Sequence, residues 1–419
     1  MSTDTASAAG RVTAPPPAGW EEARDRAYAV GLAAALPAER RPLAETDGHT
    51  LAEPLTTRTD LPAFPTSSVD GWAVRGGGPW RVVGRVLAGG TPAPLTEDGT
   101  TVEIATGAMV PEGATAVLRV EESSRTADGL VDGVPRPAPE WRAPGEEAYA
   151  GEELLPAGTP VDPALIGLAA ACGQDTLLVR RQPRAALLVF GDELLTEGPP
   201  AAGRVRDALG PAVPAWLRRY GCQVRPADVV GPVADTLPAH VAAVRAALAE
   251  ADLVCTTGGT MHGPVDHLHP TLTALGADYV VNTVAVRPGF PMLLARLVGD
   301  DGRVRFVAGL PGNPQSAVIA LVSLVVPLLA GLAGRPMPVL PHATLAEAVP
   351  GRGDHTHLAL VRLDRVANTA HPVRHVGSAM LRGLAGADGF AVIRPNASGE
   401  PGDRVPVLPL PLLPGERAW

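Results

Sequence analysis

Residues 184–195 read RAALLVFGDELL, an unbroken apolar run that stops at a glycine followed by two carboxylates. Residues 252–259 (DLVCTTGG) and 306–314 (FVAGLPGNP) repeat this pattern, since each is a short apolar segment that ends in a glycine-bearing turn. Continuous apolar runs of this length are typical of strands that are buried on both faces. Helical patterns at residues 211–221 and 237–251 lie between them. The alternation predicts a parallel sheet with crossover helices.

The sequence on either side of this α/β region has a different character. Residues 80–122 hold short alternating runs separated by Gly and Pro, which predict a small β-rich module. Strand patterns return after residue 336, so we expect a C-terminal β domain. Residues 20–36 predict a helix, and the polar, Pro-rich residues before them predict a disordered leader. The fold class is therefore α/β plus β, in several domains.

Bulk composition excludes several classes of protein. The 419 residues carry 35 basic and 44 acidic side chains, a net charge of −9, which argues against a nucleic-acid binder. Three scattered cysteines give neither a disulfide framework nor a metal-binding spacing. No signal-peptide pattern is present, and the apolar segment 318–332 is short for a membrane span and contains Pro327. We therefore expect a cytoplasmic protein without a membrane partner.

The turns that follow the apolar strands are the first places to look for chemistry, because ligands of open parallel sheets bind at the carboxyl ends of strands. Asp192 and Glu193 can hold a cation, although an acidic helix start is the favoured interpretation on spacing alone. Thr257, Gly258 and Gly259 offer hydroxyl and amide donors to a phosphate, and Asp266 can hold magnesium nearby. An ordinary strand-to-helix turn explains the glycine pair equally well.

The third turn is LPGNP, residues 310–314, which precedes an apolar helix. Pro311 and Pro314 stiffen it, Gly312 permits close backbone approach, and the helix N-terminus offers free N–H groups to an anion. A well-made helix start with Asn313 near the cap is the alternative. His262, His267 and His269 surround Asp266 and suggest a transition-metal site, but a solvated or phosphate-facing loop is the favoured interpretation.

Taken together and in this order, the motifs resemble the molybdopterin molybdenumtransferase family, which includes the C-terminal domain of gephyrin. SSVDGWAV (67–74), IATGAMVPEGATAVLRVEE (104–122), GDEL (191–194), TTGGTMHGPVD (256–266), VRPGFP (286–291) and LPGNP (310–314) look like the family's motifs. The stretch 377–393 resembles its C-terminal domain. The similarity extends over nearly everything from about residue 20 onward.

The resemblance implies an elongated homodimer in which each subunit has four domains. A discontinuous linker domain would comprise residues 20–56 and 145–183 after a disordered leader at 1–19. The β-rich domain would span residues 57–144, the α/β domain that binds molybdopterin residues 184–335, and a barrel-like β domain residues 336–419. The family's reaction inserts molybdenum from molybdate into adenylylated molybdopterin, with Mg²⁺, and releases AMP.

The resemblance also carries residue roles onto this sequence. It implies catalytic roles for Glu193, Asp266, Asp70 and Thr106, with the last two contributed by the partner subunit, and metal binding by Glu193, Asp266 and Asp235. The positions it implies for substrate binding are Gly107, Asp192, Thr257, Gly258, Gly259, Arg287, Pro311, Gly312, Asn313, Pro314, Arg352 and Ser378.

Several positions depart from the family's pattern, among them Glu147, residues 207–209, Met261, Thr283 and Phe290. Met261 stands where the family has serine, and Phe290 and Thr283 stand where it has lysine. Lysine is a point charge suited to a small oxyanion, and this chain contains no lysine, so arginine must serve instead. Besides an active transferase, the sequence thus leaves open a divergent paralogue that binds a related nucleotide or pterin, and a scaffold protein of the same fold.

Overall fold

The computed structural model describes residues 16–261, 263 and 266–411, so most of the predicted leader lies outside the described residues. The chain forms two compact units. The larger unit comprises Met1–Pro37 and Arg180–Trp419, and the smaller unit comprises Ala38–Val179. Helix α1 (Trp20–Ala33) belongs to the larger unit.

The smaller unit consists of short strands and one helix. Its strands are β1 (Ala38–Pro42), β2 (Thr50–Leu51), β3 (Leu55–Thr56), β4 (Thr66–Ser67), β5 (Gly71–Arg75), β6 (Arg81–Val86), β7 (Thr100–Ile104), β8 (Ala116–Arg119), β9 (Ser123–Arg125), β10 (Val131–Gly133), β11 (Trp141–Arg142), β12 (Glu153–Leu155) and β13 (Thr176–Arg180), and its helix is α2 (Pro163–Ala171). The largest sheet has the order β6-β7-β5-β8, and β1-β13-β2 form a second one. This agrees with the expected β-rich module.

The α/β domain of the larger unit contains a six-stranded sheet between helices. Its strands are β14 (Ala185–Phe190), β15 (Leu194–Leu195), β16 (Val205–Arg206), β17 (Val229–Val233), β18 (Leu253–Thr257), β19 (Asp278–Val281), β20 (Val286–Arg287), β21 (Leu293–Val298) and β22 (Val304–Leu310), and its helices are α3 (Leu209–Arg219), α4 (Leu237–Glu250), α5 (Leu268–Ala274), α6 (Pro314–Ala320) and α7 (Val326–Leu332).

The order of this sheet is β17-β14-β18-β22-β21-β19. The first four strands are parallel, as expected from their apolar runs, whereas β21 and β19 pair antiparallel. Strands β21 and β22 are antiparallel because a short loop joins them, and a parallel pair needs a long crossover. The stretch 223–230, whose pattern suggests one strand, instead makes a 3₁₀ turn at Pro226–Asp228 before β17 begins.

Helices α6 and α7 are joined by a π-helical turn, Leu321–Val325, into one core helix. Pro314–Leu332 is apolar and long enough to cross a membrane, but its most apolar window is 94% buried inside the protein. In the π register the carbonyl of Val322 faces Pro327, which has no N–H to donate. Buried Arg24 of α1 donates to that carbonyl over 3.1 Å. Burial lowers the pKa of Arg24 to about 10.

The indole of Trp20 on α1 also donates to Ser323 Oγ over 2.9 Å. Helix α1 therefore packs on the core helix of the α/β domain, whereas the family resemblance implies that residues 20–36 belong to the linker domain. The apolar core they share explains this packing, since Trp20, Ala23 and Ala27 are buried. The predicted domain boundaries as a whole stay a prediction.

The C-terminal domain is a closed five-stranded barrel with one helix. Its elements are β23 (His342–Leu345), β24 (Thr356–Asp364), β25 (Thr369–Pro372), α8 (Leu381–Gly386), β26 (Gly389–Ile393) and β27 (Arg404–Pro409). The barrel closes because β26 pairs with both β27 and β24, and β20 of the α/β domain pairs with β24 from outside. The expected barrel-like domain is thus confirmed.

Candidate active site

Three strand-end loops of the α/β domain come together at one edge of the sheet. Strands β14, β18 and β22 are neighbours in parallel register. The amide of Gly258 donates to the carbonyl of Leu310 over 2.9 Å. A methyl group on Gly312 would lie 3.7 Å from the Cα of Gly258, so the glycine-pair loop and the LPGNP loop are in contact. The sheet brings these predicted binding loops together, as expected.

The acidic loop after β14 is joined to the loop that precedes α4. The amide of Asp192 donates to Asp235 Oδ2 over 3.1 Å, and the amide of Asp235 donates to Asp192 Oδ1 over 3.4 Å. Glu193 is exposed and its carboxylate folds back over Gly191, where a methyl group would meet Glu193 Oε2 at 2.7 Å. Gly191 therefore makes room for this carboxylate, and its φ of 136° also favours glycine.

Asp266 is half-buried, and its Oδ2 accepts a hydrogen bond from the amide of Gly263 over 2.7 Å. Over the described ranges of the chain, no group of three or more His, Cys, Asp or Glu side chains is arranged to hold a metal ion. Magnesium needs only one or two carboxylates together with substrate phosphates. The assignment of Glu193, Asp235 and Asp266 to a metal thus stays a prediction.

The histidines of the same edge do not gather around Asp266. His267 Nε2 lies 3.1 Å from the carbonyl of Asp235, and His269 Nδ1 lies 2.7 Å from the hydroxyl of Tyr279. His262 lies outside the described residues. The arrangement of the described histidines gives no support to a transition-metal site.

A cavity of about 780 Å³ opens in the larger unit, between the LPGNP turn and the barrel. Five of the predicted substrate-binding residues line it, namely Arg287, Pro311, Asn313, Arg352 and Ser378. Asn313 occupies the N-cap position of α6, but its side chain makes no capping hydrogen bond. The side-chain amide of Asn313 is therefore available to a ligand in the cavity.

The N-terminus of α6 is already capped by the barrel. The amides of Gln315 and Ser316 donate to the carbonyl of Ser378 over 2.9 and 3.4 Å, and the amide of Gly377 donates to Gln315 Oε1 over 3.4 Å. The expectation that this helix start offers free N–H groups to an anion is therefore wrong for Gln315 and Ser316. A carbonyl from another domain satisfies them instead.

Phe290 is one wall of the same cavity. The guanidinium of Arg287 lies 5.1 Å from its ring centroid, and the ring of His355 lies 5.8 Å away in a tilted arrangement. A cation–π contact of this kind restrains the arginine without neutralising it. The cavity thus has two cations on its lining, Arg287 and Arg352.

In the smaller unit, the two predicted loops are in contact with each other. The amide of Thr106 donates to Asp70 Oδ1 over 2.7 Å, and the amide of Gly107 donates to the carbonyl of Ser67 over 2.8 Å. A methyl group on Gly71 would lie 2.0 Å from the carbonyl oxygen of Leu118, so the DG pair lets β5 approach β8 closely. Asp70, Thr106 and Gly107 are all exposed.

Comparisons with known proteins agree over most of the chain. Three family models match in order: "MoeA N-terminal region (domain I and II)" over residues 19–173, "Probable molybdopterin binding domain" over residues 186–331, and "MoeA C-terminal region (domain IV)" over residues 342–410. The molybdopterin molybdenumtransferase of Synechococcus elongatus is 32% identical over 310 residues, which cover 70% of this chain and 75% of that relative. The chain belongs to the molybdopterin molybdenumtransferase family.

Further relatives agree with this membership. The molybdopterin molybdenumtransferase of Staphylococcus aureus strain COL is 30% identical over 332 residues, covering 76% of this chain and 77% of the relative. A crystal structure of a molybdopterin biosynthesis MoeA protein from Pyrococcus horikoshii superposes with a TM-score of 0.74 at 25% identity. It covers 94% of this chain and 99% of the other.

Three of the positions that depart from the pattern of the molybdopterin molybdenumtransferases, namely Met261, Thr283 and Phe290, lie in different surroundings. Met261 is 53% exposed. Thr283 is half-buried, and its carbonyl accepts from the amide of Ala18 over 3.0 Å. Only Phe290 lines the cavity, where Arg287 packs on it. Of the three departures, Phe290 is therefore the one that changes the surface of the cavity.

Sequence reasoning missed a buried histidine at the sheet edge of this family member. His240 is 0% exposed, stacks on Phe190 with ring centroids 3.8 Å apart, and places Nε2 3.6 Å from Asp235 Oδ1. Burial lowers its pKa below the ordinary histidine value. His240 lies in the first turn of α4, where the sequence LPAHVAAV resembles that of any apolar helix. The one sign of a buried histidine in this sequence is a polar residue on the apolar face of the helix.

Proposed function

We propose that this chain is an active molybdopterin molybdenumtransferase, which inserts molybdenum from molybdate into adenylylated molybdopterin and releases AMP. The observation that carries this proposal is the cavity of about 780 Å³, where Arg287 and Arg352 meet Ser378 and Asn313. The cavity adjoins the glycine loops of the sheet edge through Pro311 and Asn313, so one unit offers neighbouring places for an oxyanion and a nucleotide.

Molybdate binding is assigned to the cavity. Its lining supplies two guanidinium groups, a serine hydroxyl and a side-chain amide, which are donors that a tetrahedral dianion needs in a net acidic protein. Arginine stays charged at every physiological pH and offers forked N–H donors to oxyanions. Arg287 and Arg352 thus take the part for which the family uses lysine.

The diphosphate of adenylylated molybdopterin is assigned to the loops at the sheet edge. Thr257 ends β18, and Gly258 and Gly259 follow it next to Gly312. Backbone amides in glycine loops can approach phosphate oxygens closely because no Cβ intervenes. Pro311 and Pro314 stiffen the adjoining turn and so limit the loss of backbone entropy when substrate binds.

Magnesium fits the chemistry of the acids at this edge. Glu193, Asp235 and Asp266 supply carboxylate oxygens, which are the ligands that Mg²⁺ prefers, and Asp192 shares hydrogen bonds with Asp235. When bound, the ion would neutralise charge on the phosphate oxygens. The protein's own contribution is to hold these carboxylates on loops anchored to neighbouring strands.

A homodimer is proposed to complete the site. Asp70, Thr106 and Gly107 form an exposed, hydrogen-bonded loop pair on the smaller unit, and we assign it to the cleft of the partner subunit. Thr106 and Asp70 would then face the substrate from the opposite side. We place the reaction in the cytoplasm, where no membrane partner is required.

Two experiments test the proposed function. The gene is placed in a strain that lacks its molybdenumtransferase, and nitrate reductase is assayed at low and high molybdate. The purified protein is then given adenylylated molybdopterin, molybdate and Mg²⁺, and AMP is measured. Rescue and AMP release are expected. Failure of both, with well-folded protein, would instead favour the divergent paralogue.

Variants extend this test to the predicted site. Glu193→Gln and Asp266→Asn should each reduce kcat by at least roughly 100-fold, since the charge that holds the cation is lost. Glu197→Gln, an exposed glutamate of the same loop region, is the matched control. Chelation by EDTA should stop the reaction, and Mg²⁺ should restore it. Full activity of both variants would remove the proposed metal site.

A further inference from the structure

His357 is a buried titratable side chain in the wall of the cavity. It lies on β24, is 8% exposed, and lines the cavity together with Arg287 and Arg352. Its Nδ1 is 2.7 Å from the carbonyl oxygen of Pro350. A carbonyl oxygen only accepts hydrogen bonds, so Nδ1 carries a hydrogen and the lone pair of the neutral ring is on Nε2.

The second ring nitrogen of His357 is open to a ligand. Within residues 16–261, 263 and 266–411, Nε2 has no hydrogen-bond partner. Unlike both ring nitrogens of His240, Nε2 of His357 is not among the side-chain atoms sealed from solvent. The ring is therefore held by one nitrogen, and the other has no hydrogen-bond partner in a residue that lines the cavity.

The charged side chains that line the cavity beside His357 are both arginines. Arg287 is its register partner on β20, and Arg352 lies in the loop that Pro350 begins. Strand β26, which pairs with His357 on its other side, has the sequence GFAVI and no titratable group. Asp354 and His355 lie in the turn just before β24, where the Nδ1 of His355 and the Oδ1 of Asp354 are 2.6 Å apart.

The protein groups around His357 favour the neutral form of this histidine. Burial, together with the charge of Arg352, lowers the pKa of His357 below its ordinary value, although the hydrogen bond to Pro350 opposes this. A bound dianion would reverse the electrostatic balance, because its charge faces the ring and offsets that of the arginines. The geometry supplies Nε2 for the incoming proton and Pro350 for the other ring nitrogen.

We propose that His357 takes up a proton from solvent when a tetrahedral oxyanion binds in the cavity, and that its Nε2–H then donates to an anion oxygen. The proposal rests on the proposed function, which makes molybdate this oxyanion. Each protein molecule thus binds one dianion together with one proton, and the proton is on Nε2 of His357. An arginine side chain cannot take this part, because a guanidinium group has no free site for a further proton.

The sign of the pH dependence follows from the two states of the protein. The pKa of His357 is higher with the anion bound than without it, so the extra affinity is complete below the pKa of the free protein. It is lost as pH rises through the pKa of the complex, and between the two values affinity changes by up to about tenfold per pH unit. Proton uptake is largest in the same window.

Calorimetric titration of the intact protein with sodium molybdate tests this inference. The titration is run from about pH 6.5 to about pH 9 in buffers of different ionisation enthalpy, which reports the number of protons exchanged. Wild-type protein should take up between roughly half a proton and one proton within the window and bind more weakly at high pH. His357→Asn, whose amide can still donate to Pro350, should bind with no proton uptake and an affinity constant within about twofold across the range.

Controls separate His357 from its neighbours. His342→Asn, an exposed histidine of the same barrel, should keep the wild-type proton uptake. If His357→Asn does not fold, His357→Gln serves in its place. Loss of proton uptake in His355→Asn rather than in the His357 variants would overturn the inference, as would wild-type binding without proton exchange. Absence of molybdate binding at any pH would overturn the proposed function and this inference with it.

Discussion

The amide of Gln315 donates to the carbonyl of Ser378 over 2.9 Å. This bond joins the first turn of α6 to the barrel-domain loop that contains Gly377 and Ser378 and lines the cavity. The side chain of Gln315 is 2% exposed and accepts from the amide of Gly377. These bonds position the loop whose Ser378 is assigned to molybdate. Gln315 is thus a positioning residue in the proposed reaction.

We expect Gln315→Leu to weaken molybdate binding about fivefold, because the amide of Gly377 loses its acceptor and the loop is held less firmly. Gln223→Leu makes the same chemical change at an exposed position of the α/β domain and should leave affinity unchanged. Both affinities are measured by calorimetric titration. Equal affinities for the two variants would show that the side chain of Gln315 does not position the loop.

Asp70 should act mainly through the Thr106 loop. Asp70→Ala removes the acceptor of the Thr106 amide, whereas Asp70→Asn retains an oxygen in that place. We expect kcat to fall at least about tenfold in the alanine variant and less in the asparagine variant. Asp60→Ala is the matched control, since Asp60 also accepts a backbone amide, that of Ala150. An equal fall of kcat in both Asp70 variants would show that the negative charge of Asp70, and not its hydrogen bond to the Thr106 loop, is what the reaction needs.

Gly312→Ala tests the phosphate cradle. The added methyl group would make an ordinary 3.7 Å contact with the Cα of Gly258, so the free energy of unfolding should change by no more than about 0.5 kcal/mol. The KM for adenylylated molybdopterin should rise about tenfold because the methyl group stands where the diphosphate is proposed to bind. Gly386→Ala, which has open space around it, should alter neither quantity. An unchanged KM in Gly312→Ala would show that the nucleotide does not bind next to Gly312.

Asp252 should contribute stability that depends on pH. This carboxylate is 3% exposed and accepts from Arg181 at 2.7 and 2.9 Å, from Arg303 at 2.8 Å and from the amide of Arg184 at 2.8 Å. Burial alone would raise the pKa of Asp252, but these partners lower it below its ordinary value. Its stabilisation is therefore present above the unfolded pKa and is lost as pH falls through the folded pKa.

We expect Asp252→Asn to lower the free energy of unfolding by about 2 kcal/mol at neutral pH, since three cationic or amide donors lose their anion. The difference from wild type should shrink below about pH 4. Urea unfolding at both pH values measures it, and exposed Asp300→Asn is the control. A difference that stays constant with pH would show that packing, not charge, is responsible.

Much of the α/β domain could be predicted because its strands are continuous apolar runs in the sequence. Residues 185–190 and 253–257 are apolar on both faces, and such runs have few alternatives to a buried parallel strand. The carboxyl ends of neighbouring parallel strands necessarily meet at one edge, so the meeting of Gly258 with Gly312 followed from the pattern. The position of the antiparallel strand β19 did not follow from the pattern, because its register is set by tertiary pairing with β21.

The sequence by itself determined the family, the strand-end loops and the chemical types of the candidate residues, because these depend on local order along the chain. Only the tertiary structure decided that the carbonyl of Ser378 caps α6, that Arg287 packs on the ring of Phe290, and that His357 lines the cavity. Gln315 and Gly377 are 62 residues apart. Contacts over such distances arise when the barrel closes and packs against the sheet edge, and no periodicity within either segment encodes them.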